Sequence, residues 1–401
     1  MTPWLSIVGL GEDGLDGLSA GARRLVDDAE VIVGGDRHLA LLGATDKETV
    51  PWESPLKATV ERLAGFEGRR VCVLATGDPM AYGIGVTLIR RFGREAVVVL
   101  PGLSAFSLAC ARLGWPLAET VQLTLHGRPF DLLHLHLTPG QKLLVLSDDR
   151  TTPAKVARRL TDAGFGPSDL RVLCHMGGPH ERCVTCTAAE GPGDDVDDLN
   201  TIAIDLKAEP GTVALPRTPG LPDDAFRHDG QMTKREVRAA TLAALQPMAG
   251  QRLWDVGAGC GSVAIEWMRA ANRAQAIAIE RHDGRRAMMA ENAAALGVPT
   301  LEMVAGSAPD ALSGLAAPDA VFIGGGVAGD GMVGSCWDAL PAGGRLVANA
   351  VTLESEQALF AAFEHHGGEL VRLAISRAEP VGRLQGWRPL MPVTQWRVVK
   401  S

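Results

Sequence analysis

The sequence predicts an α/β protein of two domains, each carrying a largely parallel sheet, and three observations carry that expectation. The chain has 401 residues, more than one ordinary hydrophobic core accommodates. Short apolar runs of strand length alternate with amphipathic helical stretches twice over. Between the two series lies PGTVALPRTPGLPDDAFRHDG, Pro210 to Gly230, whose proline and glycine content reads as a linker. We place the first domain at residues 1–208, the linker at 209–225 and the second domain at 226–401.

In the first half, SIVGLG (Ser6–Gly11), VIVGG (Val31–Gly35), VCVLATG (Val71–Gly77), AVVVLPG (Ala96–Gly102) and KLLVLSD (Lys142–Asp148) have strand length and apolar continuity. Runs of this kind suit strands covered on both faces. Helical spacing marks SAGARRLVDDAE and SAFSLACARLG between them. After Leu170 the pattern becomes RVLCHMG, ERCVTCTAA and TIAIDL without long helices, which predicts a second, more antiparallel sheet. The acidic GPGDDVDD (Gly191–Asp198) is expected as a loop before the last of these strands.

The second half restarts with a helix, KREVRAATLAALQP, for which Thr233 is the expected N-cap and Glu236 its capping-box partner. LWDVG, AIAIE, LEMVAG, AVFIGG, RLVANAV and ELVRLAIS follow as strands, with helices SVAIEWMRAA and RRAMMAENAAALG between them. QWRVV (Gln395–Val399) is expected to add an edge strand. This order suits one doubly wound sheet.

Composition narrows the function. The net charge is −8 with no long basic block, which argues against nucleic acid as the principal partner. Apolar runs such as VCVLA are too short to span a membrane, and MTPWLSIVGLG lacks a signal-peptide pattern, so a cytoplasmic location is the default. Seven cysteines are too sparse and irregular for a disulfide framework. Cys174, His175, His180, Cys183 and Cys186 cluster, but no second pair closes a zinc set, and no metal is assigned.

In the second half, DVGAGCG (Asp255–Gly261) joins a strand to a helix. Its glycines allow a tight turn and close ligand approach at the helix N-terminus. The spacing is G-x-G-x-G, with Ser262 where the dinucleotide fingerprint has its third glycine. Asp255 stands two residues before the first glycine, where an acid attracts an ammonium group. Glu280, ending the next strand, can accept both hydroxyls of a ribose. A nucleoside bearing a cation, S-adenosylmethionine, answers that description better than NAD. Gly324–Gly326, at the carboxyl edge of a later strand, leaves room for a bulky planar substrate.

MTKREVRAATLAALQP, DVGAGCGSVAIEW, GSAPDAL and VANAVTLESE together resemble the decarboxylating precorrin methyltransferase domain family, over most of Phe226 to Val399. The resemblance implies a Rossmann-like class I methyltransferase fold in which Thr233, Gly257, Ala258, Gly259, Cys260, Gly261, Glu280 and Ala308 contact S-adenosylmethionine. In the first half, ATGDPMAYGIG (Ala75–Gly85) and PGLSAFSLACARLGW (Pro101–Trp115) resemble the tetrapyrrole methylase family, over roughly Trp4 to Leu206. That likeness implies a fold of two α/β subdomains, with Gly77, Asp78, Ala81, Ser104 and Ala105 lining a cofactor cleft. The family's first loop continues with Pro-Gly, whereas Glu12-Asp13 follows Gly11 here, so Gly9 and Gly11 are not assigned. Asp78 precedes Pro79 and is biased to an extended or turn conformation.

LHGRP (Leu125–Pro129) matches the subgroup acting on late precorrins, which implies that His126 and Arg128 bind substrate carboxylates; Arg offers a planar fork for them. His134 and His136 alternate and read as surface residues. Lys234, Arg235, Arg377, Arg383 and Arg388 are available for a basic rim. Two unrelated methyltransferase domains on one chain imply two methyl transfers to one substrate. The resemblance implies methylation of a late precorrin at C5 by the first domain. It assigns C15 methylation, with decarboxylation of the ring C acetate, to the second, in cobalamin biosynthesis. A bifunctional methylase of another small tetrapyrrole or small molecule is the alternative. No residue declares itself as the acid that protonates after decarboxylation. Association into a homo-oligomer is expected.

Overall fold

The computed structural model describes residues 3–401, which form two compact units. Unit 1 comprises the residues up to Arg128 together with Pro139–Val213; unit 2 comprises Pro129–Thr138 and Ala214–Ser401.

Unit 1 holds two five-stranded sheets. The first contains β1 (Leu5–Leu10), β2 (Val31–Gly34), β3 (Glu48–Pro51), β4 (Val71–Thr76) and β5 (Val97–Leu100), in the order β3-β2-β4-β1-β5. All its pairings are parallel, and Ile7, Val33 and Val73 are fully buried within it. The second contains β6 (Val121–Thr124), β7 (Lys142–Leu146), β8 (Asp169–Cys174), β9 (Arg182–Thr187) and β10 (Asn200–Asp205), ordered β6-β7-β10-β8-β9. Only β6 with β7 is parallel there; the remaining pairs are antiparallel. KLLVLSD, grouped by sequence with the first series, thus belongs to the second sheet. The expected acidic loop does separate β9 from β10. The helix Ala105–Leu113 is capped by Ser104, whose side chain accepts from the Ser107 N–H, and it stops at Gly114 in a left-handed conformation.

Unit 2 is built on a seven-stranded sheet of β11 (Arg252–Val256), β12 (Gln275–Glu280), β13 (Glu302–Ala305), β14 (Ala320–Ile323), β15 (Arg345–Ala350), β16 (Glu369–Leu373) and β19 (Val393–Val399). The order is β13-β12-β11-β14-β15-β19-β16, parallel as far as β15. QWRVV therefore does not sit at the edge. It pairs antiparallel on both sides, because Trp396 is fully buried and donates its indole N–H to Gly367 O at 2.8 Å. The edge falls to β16. A small hairpin of β17 (Ser376–Val381) and β18 (Leu384–Pro389) precedes β19. Apolar layers cover both faces, one including Leu242, Trp267 and Phe322, the other Val321, Leu346 and Trp396.

The proline-rich stretch is not a loose tether throughout. Leu221 and Phe226 are buried in the unit 2 core, and a buried ion pair anchors the chain around them. Arg238, fully buried, donates from Nε to Glu266 at 2.6 Å, and its other nitrogens donate to Leu221 O and to Thr233 O. Glu266 accepts in turn from the Gly220 and Leu221 N–H groups at 2.6 and 3.0 Å. A buried pair is stable only when its remaining hydrogen-bonding capacity is met, and this one meets it with the backbone of the supposed linker.

His134 and His136 lie in a seven-residue 3-10 segment, Phe130–His136, rather than on an exposed strand. That segment packs on the helix Asp283–Ala295, with Leu133 fully buried and His134 Nδ1 3.1 Å from Ala294 O. Burial pushes the His136 pKa down to about 4, so the surface expectation for both is corrected. Among the described residues no helix is long and apolar enough to cross a membrane.

Candidate functional site

In unit 2 the carboxyl ends of β11, β12, β14 and β15 open onto a cavity of about 940 Å³. Ligands of doubly wound sheets bind at this edge. Thr233, Gly257, Ala258, Gly259, Cys260, Glu280 and Ala308 all line it. Gly261 does not. A Cβ there would stand 2.5 Å from Met289 Cγ, so its requirement is close packing of two helices.

Gly257 has φ +72°, and a Cβ on it would lie 3.1 Å from the Gly325 N and 3.2 Å from its O. Two loops therefore approach each other backbone to backbone at the cavity wall, which only glycine tolerates at that angle. Glu280 is buried and fixed through both oxygens, accepting from the Gly259 N–H and the His282 N–H at 2.9 Å each. Each oxygen retains lone-pair capacity for a ligand hydroxyl.

Asp255 is 1% exposed. Its Oδ2 accepts from the Ala264 N–H at 3.0 Å, whereas the buried Oδ1 has no hydrogen-bond partner among the described residues. Burial pushes its pKa up to about 7; the Ala264 N–H opposes that and the nearby Glu280 charge adds to it. A buried acceptor left unsatisfied is destabilising unless something else supplies the donor. A cation in the cavity would do so.

Thr233 borders the cavity but is not the helix N-cap. The helix runs Arg235–Leu245 with Lys234 at the cap and no side-chain cap bond from it. The first free N–H, that of Arg235, is taken by Asp223 Oδ1 at 2.9 Å. Glu236 turns instead to Arg377 at 2.6 Å, so the capping box does not form.

The basic residues divide. Lys234 lines the cavity, joined by Arg281 and Arg285, which the sequence reading did not single out. Arg377 is spent on Asp223 and Glu236, and Arg388 on Glu379. Also missed was Asn349, on β15 at the cavity wall. Its Nδ2 donates to Thr241 Oγ1 and its Oδ1 accepts from Gln395, which itself donates to Thr241. Thr241 and Gln395 are buried, and a satisfied buried network of this kind fixes an orientation. No local sequence signal could have joined three residues so far apart.

In unit 1 a small hollow of about 60 Å³ lies where the carboxyl ends of β1 and β4 meet residues following β8 and leading into β10. Gly77 and Ala105 line it; Asp78, Ala81 and Ser104 do not. Asp78 closes a turn, accepting from the Met80 N–H at 2.8 Å, and Ala81 donates its N–H to Asp78 O. Gly9 has a structural reason: a Cβ there would fall 1.8 Å from Gly77 O and 2.2 Å from Gly102 N. Gly11 borders the hollow. His126 lies 3.0 Å from Asp148, both well exposed, and neither His126 nor Arg128 lines the hollow.

The unexpected feature is Glu12. It pairs with Arg37, and His175 Nδ1 lies 2.7 Å from it. Arg37 also donates to Thr76 Oγ1 at 2.7 Å, which is 3.0 Å from His38 Nε2. Burial alone would raise the Glu12 pKa, but the bond to His175 and the Arg37 charge outweigh it and hold the carboxyl below its ordinary value.

Comparison with known proteins fits both halves. Residues 5–191 match the family model of tetrapyrrole (corrin/porphyrin) methylases, and residues 224–400 that of the precorrin methyltransferase domain. A precorrin-6Y C(5,15)-methyltransferase (decarboxylating) from a Sinorhizobium species is 47% identical over 405 residues, 100% of this chain and 97% of that protein. A protein of the same name from Mycobacterium tuberculosis is 47% identical over 399 residues, covering 98% and 99%. The crystal structure of the C-terminal domain of precorrin-6Y C5,15-methyltransferase from Rhodobacter capsulatus is 45% identical. It covers 46% of this chain and 100% of its own, with a TM-score of 0.44. With both domain types matched and full-length relatives at this identity, the chain belongs to the family of two-domain decarboxylating precorrin-6Y C5,15-methyltransferases.

Proposed function

We propose that this methyltransferase moves two methyl groups from S-adenosylmethionine to a late precorrin in cobalamin biosynthesis. Unit 1 methylates C5; unit 2 methylates C15 and removes the ring C acetate carboxyl as carbon dioxide. The observation that carries the reading is the unit 2 cavity, where a buried, half-satisfied Asp255 and a backbone-held Glu280 flank a glycine cradle.

The residues fit the cofactor. Asp255 Oδ1 would receive the ammonium group and Glu280 the two ribose hydroxyls. Gly257 keeps side-chain atoms out of the space between them, and Ala308 and Thr233 would border the nucleoside. The cofactor supplies an electrophilic methyl on a sulfonium. The remaining work is positional: a bridge carbon conjugated to pyrrole nitrogens is enamine-like, and holding it in line with that methyl is an approximation effect. Toward β14 and β15 the wall combines Gly324–Gly326 with Val351, Met391 and Val393, a surface suited to a macrocycle face. Lys234 and Arg281 supply charge for its carboxylates, whereas Arg285 is already paired with Asp229 at 2.8 Å. In unit 1, Gly77 and Ala105 are the residues we assign to the cofactor. Asp78, Ala81 and Ser104 hold the loops that carry them, and His126 and Arg128 are kept as contacts for substrate carboxylates.

The test is incubation of the full chain with a late precorrin and methyl-labelled S-adenosylmethionine, followed by mass spectrometry. The expected product carries two labelled methyls and lacks the elements of one carbon dioxide. A product with fewer labels, or with the acetate intact, refutes the assignment.

A further inference from the structure

Methyl transfer from a sulfonium to a C–H carbon has a consequence for protons. The new C–C bond forms as the S–CH₃ bond breaks with its electron pair left on sulfur. The bridge carbon then loses its hydrogen as a proton, its C–H electron pair returning to the conjugated ring system. One base must receive that proton in each unit. We infer that in unit 1 the base is His175, positioned by Glu12; the inference rests on the reading of unit 1 as a methyl-transfer site.

Four observations support it. His175 and Glu12 both line the hollow beside Gly77. Glu12 is an acceptor held ionised by its neighbours, so the proton of the 2.7 Å bond sits on Nδ1. That tautomer leaves the Nε2 lone pair available. Nε2 has no hydrogen-bond partner among the described residues. Asp197 Oδ2 lies 3.8 Å away, too far for a hydrogen bond. Asp197 is itself held by Arg182 at 2.9 Å.

The fourth observation is strain. His175 has φ +49°, a left-handed backbone that a residue with a Cβ seldom adopts. Its N–H is tied to Leu199 O at 3.2 Å. The surroundings thus hold the ring where its local conformational preference would not. Glu12 could not serve as the base, because Arg37 and His175 already engage it. It is the positioning residue, and it occupies the loop position where the family pattern has proline. The arrangement of base and orienting carboxylate is the general one for proton transfer.

The test uses the full chain and three variants, His175→Gln, Glu12→Gln and the double variant. The first readout needs no methyl transfer. With S-adenosylhomocysteine in place of the donor, the wild type should exchange the precorrin bridge-carbon hydrogen for deuterium in D₂O, followed by NMR. His175→Gln should exchange at least about 100-fold more slowly, the scale of general acid–base catalysis. Its S-adenosylhomocysteine affinity, by calorimetry, should stay within about threefold of wild type. Glu12→Gln should slow the exchange about tenfold, and the double variant should be no slower than His175→Gln, since the two act as one device. Wild-type exchange in His175→Gln, losses that add in the double variant, or loss of nucleoside binding in place of exchange would each overturn the inference. If His175→Gln does not fold, the tenfold effect of Glu12→Gln with nucleoside affinity retained decides the matter. Failure of the wild type to methylate any precorrin would instead refute the reading of the substrate.

Discussion

Asp255→Asn should change stability and ligand affinity in opposite directions. The Asp255 carboxyl is raised from an ordinary 3.8 to about 7 by burial. At about 1.4 kcal/mol per tenfold change in acidity, ionising it in the fold costs about 4 kcal/mol more than in the unfolded chain. Because the folded value is the higher one, that penalty is absent below about pH 4 and grows as pH rises. It is complete above about pH 7. The asparagine avoids the penalty and its oxygen can still accept from the Ala264 N–H. Its amide hydrogens, placed where Oδ1 has no partner, forfeit about 1–2 kcal/mol. The net gain for unliganded unit 2 at pH 8 is about 2 kcal/mol, roughly 5 °C of melting temperature for a unit of this size. At pH 5 the wild-type penalty has fallen to about 1–2 kcal/mol, and the two proteins should melt together.

With S-adenosylmethionine the sign reverses. The lost charge-assisted bond to the ammonium is worth about 1.5–3 kcal/mol, a weakening of roughly 10–100-fold in Kd. Differential scanning calorimetry at pH 5 and pH 8 and isothermal titration measure both effects. Near pH 6, wild-type binding should also release protons, visible as a binding enthalpy that depends on the buffer. A variant that gains nothing at pH 8 and binds as wild type does would refute the assignment of Asp255.

Three further outcomes are expected. Gly257→Ala places a Cβ 3.1 Å from the Gly325 backbone at φ +72°, a left-handed penalty of about 1–2 kcal/mol; product analysis should show the C15 methylation reduced and the C5 methylation retained. Arg238→Met leaves Glu266 buried and unpaired and should lower unit 2 stability by about 3–5 kcal/mol in urea unfolding. Glu280→Gln keeps one acceptor but sets an amide donor against the Gly259 or His282 N–H, and titration should show nucleoside affinity falling at least about tenfold.

Much of this architecture was legible where local chemistry alone decides. Five of the six residues of Val71–Thr76 are buried, and an unbroken apolar run of that length reads as a doubly covered strand. The same holds for the turn after Asp255, where glycine spacing and a strand-end acid fall within a short window. Strand β3 was missed because only Val50 of Glu48–Pro51 is buried, which leaves no periodicity to detect. The interior place of β19 depends on pairing with β15 and β16, a property no window on QWRVV contains. The helix cap shows the same limit. Thr233 had the right chemistry next door, but Asp223, brought back through the Arg238 and Arg377 contacts, reaches the Arg235 N–H first.

The two candidate sites show why a carboxylate beside a glycine loop need not play the same role in each. Both units bring glycines together at the carboxyl ends of parallel strands, Gly257 against Gly325 in one and Gly9 against Gly77 in the other. That common device only clears space for a ligand. What distinguishes the sites is how the nearby acid is paired. Asp255 is left with a bare oxygen and a raised pKa, so its free energy falls when a cation arrives. Glu12 is already satisfied by Arg37 and His175 and its pKa is lowered, so a cationic ligand gains little from it. Its charge acts through the imidazole it holds. An acid with no partner predicts a ligand, whereas a partnered one predicts an oriented neighbour, and the loop glycines alone could not have told these apart.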